Sequence, residues 1–379
     1  LMDILAKHDW LQLASPLTET VSRVSRLLLE LVRTDAWIIH GFEATSNEPM
    51  SILYAGDPMH KSYIARLVFG DTRNEIHIGR KSIWALRRLV REHKRTCSLA
   101  VIEGHALHVT LLKGRNDLFV PMWLDGRVET PIVARNRSSV SSLKSIEKNG
   151  LTYTVTTEPD RLRDFYENMY LPAMRGRHRD GAFLTTFQEI MEPVAHGDCE
   201  LLSIQKGDEA IGGVLILKNE NPPKLWKCGV RDANPIHFKA GAMAAVYAFS
   251  SRHLHANGHA MMDLGGTRAF LSDGILFYKT KFGASFEPRG SRGFILKALS
   301  FSKGLESFLV HNPVAHRSGR RMSGAVFVDT AEPSLAELRK TIGAVPDVSG
   351  MDRTSAFHLS RTTGQIQRLH EEPNEDRQS

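Results

Sequence analysis

The spacing of apolar positions changes repeatedly along the chain, from steps of three and four to short continuous runs. In residues 17–33, LTETVSRVSRLLLELVR, Val21, Val24, Leu27, Leu28 and Leu31 recur at helical spacing, with Thr18 as a candidate cap. Strand-like runs follow at 36–39, 51–54 and 63–69, the last closed by Gly70 and Asp71 as a turn. KSIWALRRLVREH at 81–93 returns to helical spacing with Ile83, Leu86, Leu89 and Val90 inward, and SLAVIE at 98–103 has the composition of a strand. The order strand, helix, strand predicts a crossover unit in a parallel or mixed sheet. Runs at 106–112 and 118–124 predict two further strands, with Asp125 and Gly126 as a hairpin turn.

A Ser-rich, basic stretch at 135–145, containing NRSSVSSLK, is either a linker between two units or a helix-capping loop inside one. The pattern then restarts, with a strand at 151–156, a helix at 159–170, a basic turn, a helix at 185–194, and strands at 200–205, 210–218 and 225–229. AGAMAAVYAFSSRHLHANG at 240–258 predicts a helix of small residues stopped at Gly258. A short strand at 260–264, a helix at 274–282 ended by Gly283 and a strand at 291–300 complete this part. Beyond 301 the order weakens to a basic connector at 310–321, a strand at 325–328, a helix at 334–342 and the tail EEPNEDRQS, expected to be disordered.

Composition narrows the class. With 379 residues, 42% hydrophobic and 24% charged, the chain can build the cores of two or three domains. Lys and Arg outnumber Asp and Glu by 49 to 42, a balance that suits a phosphorylated ligand or an anionic surface, or simply a basic solvated face. Cys97, Cys199 and Cys228 are too far apart for a disulfide framework or a CxxC site, and a reducing cytoplasm is the expected compartment. Asp3, Lys7 and Asp9 interrupt every apolar run at the start of the chain, so no signal sequence is expected there. No segment reaches the ~18 apolar residues of a membrane span. His253, His255 and His259 lack an HExxH or other zinc spacing, so no metal is expected. Aromatics make up 8% of residues and are not interleaved with the arginine runs, which gives a nucleic-acid platform little support.

The chemistry concentrates between 225 and 300, where the order is strand, loop, long helix, short strand, Gly-Gly loop, short helix, Gly, strand. HANGHAMMDLGGTRAFLSDGILFYKTKFGA at 255–284 carries Gly258, Asp263, Leu264, Gly265 and Gly266, followed by Tyr278, Lys279, Phe282 and Gly283. This succession resembles the FemAB-type transferases and related acyltransferase domains of the GNAT superfamily, whose members show Gly-x-x-x-x-Asp-Leu-Gly-Gly and then Phe-Lys-x-x-Phe-Gly. Tyr278 stands where the family has Phe. RLRDFYENMYLPAMRGRHRDGAF at 161–183 is similar to the family's Phe-Tyr helix and basic turn, here Met174 and Arg175. The resemblance covers about residues 150–290, and the first half is only weakly similar.

The resemblance implies an α/β fold with mixed sheets, built as tandem GNAT-like domains. One unit is expected at 1–148, a catalytic unit at 149–300 and an extension at 301–379. It implies transfer of an acyl group from acyl-CoA, or of an aminoacyl group from aminoacyl-tRNA, to an amine on a sugar, amino acid or cell-envelope precursor. The long helical arm of the tRNA-dependent branch has no counterpart among the heptads here, which favours the thioester. The rival reading is a non-catalytic protein of this fold that binds RNA or an anionic polymer.

Lys279 matches the family's active-site lysine, whose ammonium can neutralise developing negative charge, with Tyr278 beside it; a solvated lysine is the alternative. Asp263 could orient or deprotonate the amine, or cap the next turn. Arg175, Arg177 and His178, with Arg179, form a basic run suited to an anionic group on the acceptor or to solvent, and Tyr166 faces either the acceptor or the core. Gly229 and Val230 could offer backbone N–H to the oxyanion, or merely end a strand. Lys239, Gly241 and Ala242 open a helix to which a phosphate of coenzyme A could come close, although small residues there also serve close packing. The Gln/Arg-x-x-Gly-x-Gly/Ala signature of ordinary acetyltransferases is absent, and Cys228 lacks the His and Asn partners of a nucleophile.

Overall fold

The structure is a computed structural model that describes residues 33–178, 184–319 and 321–374. In chain order its first strands are β1 (Arg33–Phe42), β2 (Pro49–Gly56), β3 (Arg73–Ser82), β4 (Leu99–Gly104), β5 (Leu118–Pro121) and β6 (Leu124–Glu129). Next come β7 (Leu151–Thr156), β8 (Cys199–Lys206), β9 (Glu209–Leu217), β10 (Lys224–Val230), β11 (Met261–Thr267) and β12 (Ser285–Pro288). The last are β13 (Gly293–Ala298), β14 (Val314–Ser318), β15 (Arg321–Val328), β16 (Arg353–Leu359) and β17 (Ile366–Pro373).

They form three sheets, ordered β3-β1-β2-β4-β13-β5, β12-β6-β11-β10-β9-β8-β7 and β14-β15-β16-β17. The fold is mixed α/β, with one parallel pair in each sheet: β2 with β4, β10 with β11, and β15 with β16. The first two sheets share a plan. β1-β2-β4-β13-β5 and β9-β10-β11-β6-β12 both run antiparallel, parallel, antiparallel, antiparallel. In each sheet the strand next to the edge comes from the other part of the chain, because β6 follows the first sheet into the second and β13 returns to the first.

Several elements differ from the sequence expectation, each for a local reason. The apolar run at 63–69 is the second half of helix α1 (Pro58–Phe69), since Asp57 accepts from the Met59 N–H, Pro58 pre-sets the first turn and Gly70 at φ 65° ends it. Helix α2 (Ile83–Glu92) is as expected, whereas the run at 106–112 is helix α3 (Ala106–Leu112) rather than a strand. The stretch at 135–145 belongs to helix α4 (Arg137–Lys148), opened by a capping box between Asn136 and Ser139. Asp125 and Gly126 lie inside β6 and do not form a hairpin turn. β3 carries only Ile76 and Ile78 as alternating apolar positions among polar residues, a signal too short to announce a strand. The helix expected at 17–33 lies outside the described residues except for Arg33, which opens β1.

Downstream, α5 (Pro159–Phe165) passes through a π-helical turn at Tyr166–Tyr170 into α6 (Leu171–His178), and α7 (Phe187–Ala195) follows. Then come α8 (Pro235–Lys239), α9 (Ala242–Ala256), α10 (Gly274–Lys281), α11 (Lys303–His311) and α12 (Leu335–Gly343). The C-terminal part docks on the rest. Ala315 N–H donates to Ala269 O at 2.8 Å, Leu271 N–H to Pro313 O at 2.8 Å and Phe286 N–H to Ser349 O at 2.9 Å. The basic connector contains β14, and Glu371, Glu372 and Pro373 of the expected tail are in β17. One continuous apolar cluster, from Trp37 through Tyr247 to Ile366, joins all three sheets.

Candidate active site

The second sheet opens at its centre. β10 and β11 are in register at one position, Lys224 opposite Asp263, after which β10 continues to Val230 and β11 to Thr267 unpaired with each other. Each strand is irregular where they part. The register of β10 against β9 shifts between Leu225 and Lys227, and that of β11 against β6 between Asp263 and Gly266. Bulges of this kind increase local twist and re-aim the backbone.

The bulge in β11 is held from both sides. Gly265 has φ 76°, a left-handed conformation that glycine adopts without a Cβ penalty. The Asp263 carboxylate accepts from the Gly265 N–H at 2.6 Å, and the Lys279 ammonium donates to Gly265 O at 2.6 Å and Gly266 O at 3.1 Å. Lys279 is 2% exposed. Burial pulls its pKa down to about 8, against the opposing pull of Cys228, Asp263, Asp125 and Asp273.

A cavity of about 480 Å³ occupies the gap. Trp226 and Cys228 of β10 and Leu264, Gly265 and Gly266 of β11 form its strand walls. Met243 and Tyr247, one turn apart on α9, face it, as do Ile275, Tyr278 and Lys279 on one side of α10. Phe238 of α8 stands at its mouth. Asp273 sets the direction of α10 by accepting from the Ile275 N–H at 2.8 Å and the Leu276 N–H at 3.0 Å. Burial, and then Cys228, push the Tyr278 phenol well above its ordinary range, and its ring packs 5.6 Å from Tyr247 and 5.3 Å from Phe282. Recesses of about 560 Å³ beside Arg339 and 600 Å³ between α2 and α3 lie elsewhere, and neither sits in a broken sheet. Among the described residues no group of three His, Cys, Asp or Glu could hold a metal, and no helix is long and apolar enough to cross a membrane.

The expected site residues divide into two sets. Tyr278, Lys279 and the turn fixed by Asp263 meet at the cavity. Gly241, at φ 98°, joins α8 to α9, with exposed Lys239 just before it and buried Ala242 opening α9 without a side-chain cap. Gly229 and Val230 are buried at the far end of β10; a Cβ on Gly229 would lie 2.3 Å from the Met169 carbonyl oxygen, so glycine there admits the π-helical turn. Tyr166 packs on Tyr170 and Phe187, and exposed Arg175 lies on α6. Arg177 and His178 end that helix with side chains outside the described set, and Arg179 lies outside the described residues. The sequence reading missed the wall residues Trp226, Phe238, Met243, Tyr247 and Ile275. The four-residue step from Met243 to Tyr247 was the available signal.

Residues 135–280 match the family model described as an acetyltransferase (GNAT) domain. No curated protein matches the chain. Among solved structures, FemX is 10% identical over 68% of this chain and 83% of its own, with a TM-score of 0.36. L-PGS from Bacillus licheniformis is 11% identical over 68% and 82%, with a TM-score of 0.35. A GCN5-related N-acetyltransferase from Kribbella flavida is 11% identical over 91% and 71%, with a TM-score of 0.28. The broken strand pair and its cavity fall inside the span that matches the acetyltransferase (GNAT) family model.

Proposed function

We propose that this domain transfers an acyl group from acyl-CoA to an amine on a sugar, amino acid or cell-envelope precursor, with the donor carbonyl lying between β10 and β11. The parting of these strands after a single registered pair, with a cavity in the gap, is the observation that carries the reading. Unpaired strand edges offer backbone N–H groups that can stabilise an oxyanion. Lys279 uses two of its three N–H donors to hold the Gly265-Gly266 turn. Its third N–H and its charge then stand at the cavity wall, where they offset charge on the carbonyl oxygen. The uncapped start of α9 with Lys239 nearby suits the pyrophosphate of the donor. Arg175, Arg177, His178 and Tyr166 are the proposed contacts for an anionic acceptor.

Asp263 acts in this account by holding the turn. Its hydrogen bond to the Gly265 N–H supports that role over proton abstraction. Thermal-shift screening of acyl-CoAs, followed by mass spectrometry of candidate amines with the best donor, tests the proposal. A donor at a hundred times its Kd stabilises the protein by about 2.7 kcal/mol. Stabilisation only by aminoacyl-tRNA would replace the donor, and salt-dependent RNA retention without acyl transfer would replace the enzyme reading with a binding one.

A further inference from the structure

The cavity in the broken sheet is lined in a way that a two-carbon acyl group does not require. Trp226, Met243, Tyr247 and Leu264 present ring and hydrocarbon surface. On the β11 side the carbonyls of Gly265 and Gly266 already accept from Lys279. An amide buried against that wall would lack an acceptor there, whereas a hydrocarbon chain needs none. At the mouth Phe238 is 41% exposed and Ile275 42%, and the same two short helices carry Ile236 at 67% and Phe277 at 57%. Scattered apolar side chains are ordinary on a surface, but Phe238 and Ile275 both line the cavity, so its mouth is apolar as well as its walls.

Building on the acyl-transfer reading, we infer that the acyl group this site accepts is a medium-length hydrocarbon chain, seated in the cavity and leaving it between α8 and α10. The amine nitrogen forms a bond to the thioester carbon, and the carbon–sulfur bond breaks. The electron pair leaves with the sulfur of coenzyme A, which takes up the proton the amine loses. The volume of about 480 Å³ lies within the ordinary range of small-molecule sites and leaves room for such a chain.

Isothermal titration of the full chain with coenzyme A and its acetyl, butyryl, hexanoyl and octanoyl thioesters, all below their micellar concentrations, tests this. Each added methylene should tighten binding about fourfold until the cavity is full. The double variant Phe238→Ser, Ile275→Ser alters two partly exposed positions and should flatten the dependence for the longer chains. Met243→Trp, which narrows the cavity, should move the point of saturation to a shorter chain. Equal affinity for every thioester and for coenzyme A itself would overturn the chain-length inference and leave acyl transfer standing. Failure of every thioester to bind would remove both.

Discussion

The two large sheets share an order of strand directions but differ at their parallel pairs. β2 and β4 stay together over four registered positions, from Ile52 opposite Leu99 to Ala55 opposite Ile102, whereas β10 and β11 part after one. Where the second sheet has its cavity, the first has a buried carboxylate. Glu103 accepts from the Asp57 N–H at 2.9 Å and the Tyr54 hydroxyl at 3.3 Å, contacts His60 Nδ1 at 3.0 Å and pairs with Arg292. Burial alone would raise its pKa, but the His60 hydrogen bond, the Asp57 N–H and the charges of His60 and Arg292 hold it down to about 2. β4 ends in Glu-Gly and β11 in Asp-Leu-Gly-Gly-Thr. A strand order shared by two sheets therefore makes a cleft only where bulges and a left-handed glycine force the strands apart.

Substitutions can break that contrast from either side. Glu103→Ala strands the donors now around one buried carboxylate, and a stability loss of about 1–3 kcal/mol is expected in urea denaturation, with acyl-CoA binding in the other sheet preserved. Lys279→Ala should lower turnover about 100- to 1,000-fold, as for loss of an oxyanion donor, and single-turnover kinetics would show whether the chemical step is the one slowed. Gly265→Ala forces a Cβ into a left-handed conformation at a cost of about 1–2 kcal/mol, measurable as a lower Tm. Asp263→Asn keeps an oxygen acceptor for the Gly265 N–H, so turnover should change only a few-fold; complete loss would make Asp263 the base.

The two sheets should also gain stability with rising pH in separate windows, one acidic and one alkaline. The folded pKa of Glu103 is lowered, so its contribution is fully present above the unfolded value near 4.5 and is lost as pH falls towards about 2. The folded pKa of Lys279 is also lowered, so between about 8 and the unfolded value of 10.5 the unfolded chain binds more protons and stability gains with rising pH. Relative to Lys279→Met, the wild type should gain stability across that window, and its turnover should decline as the ammonium loses its proton. Denaturation series at fixed pH check both signs.

Much of the second sheet was legible in the sequence because its helices carry their own signals. The Gly-Gly turn, the small-residue helix and the Tyr-Lys pair fall where the spacing put them. The runs at 63–69 and 106–112 were misread because a short apolar run has no period to separate strand from helix, and the Asp57-Pro58 cap was the better guide. The exchange of β6 and β13 was not legible, since local sequence does not record a strand's partner. Within the site, Lys279 and Tyr278 were found by motif. The apolar wall was missed because Trp226, Phe238 and Ile275 come from three elements that only the fold brings together.

The most direct test is hydrogen–deuterium exchange of the full chain with and without a bound acyl-CoA thioester. Protection should appear at residues 225–230, at 264–267 and in the first turn of α9, while β2 and β4 exchange as before. A thioester that binds yet leaves β10 and β11 unchanged, or that protects the first sheet instead, would contradict the account.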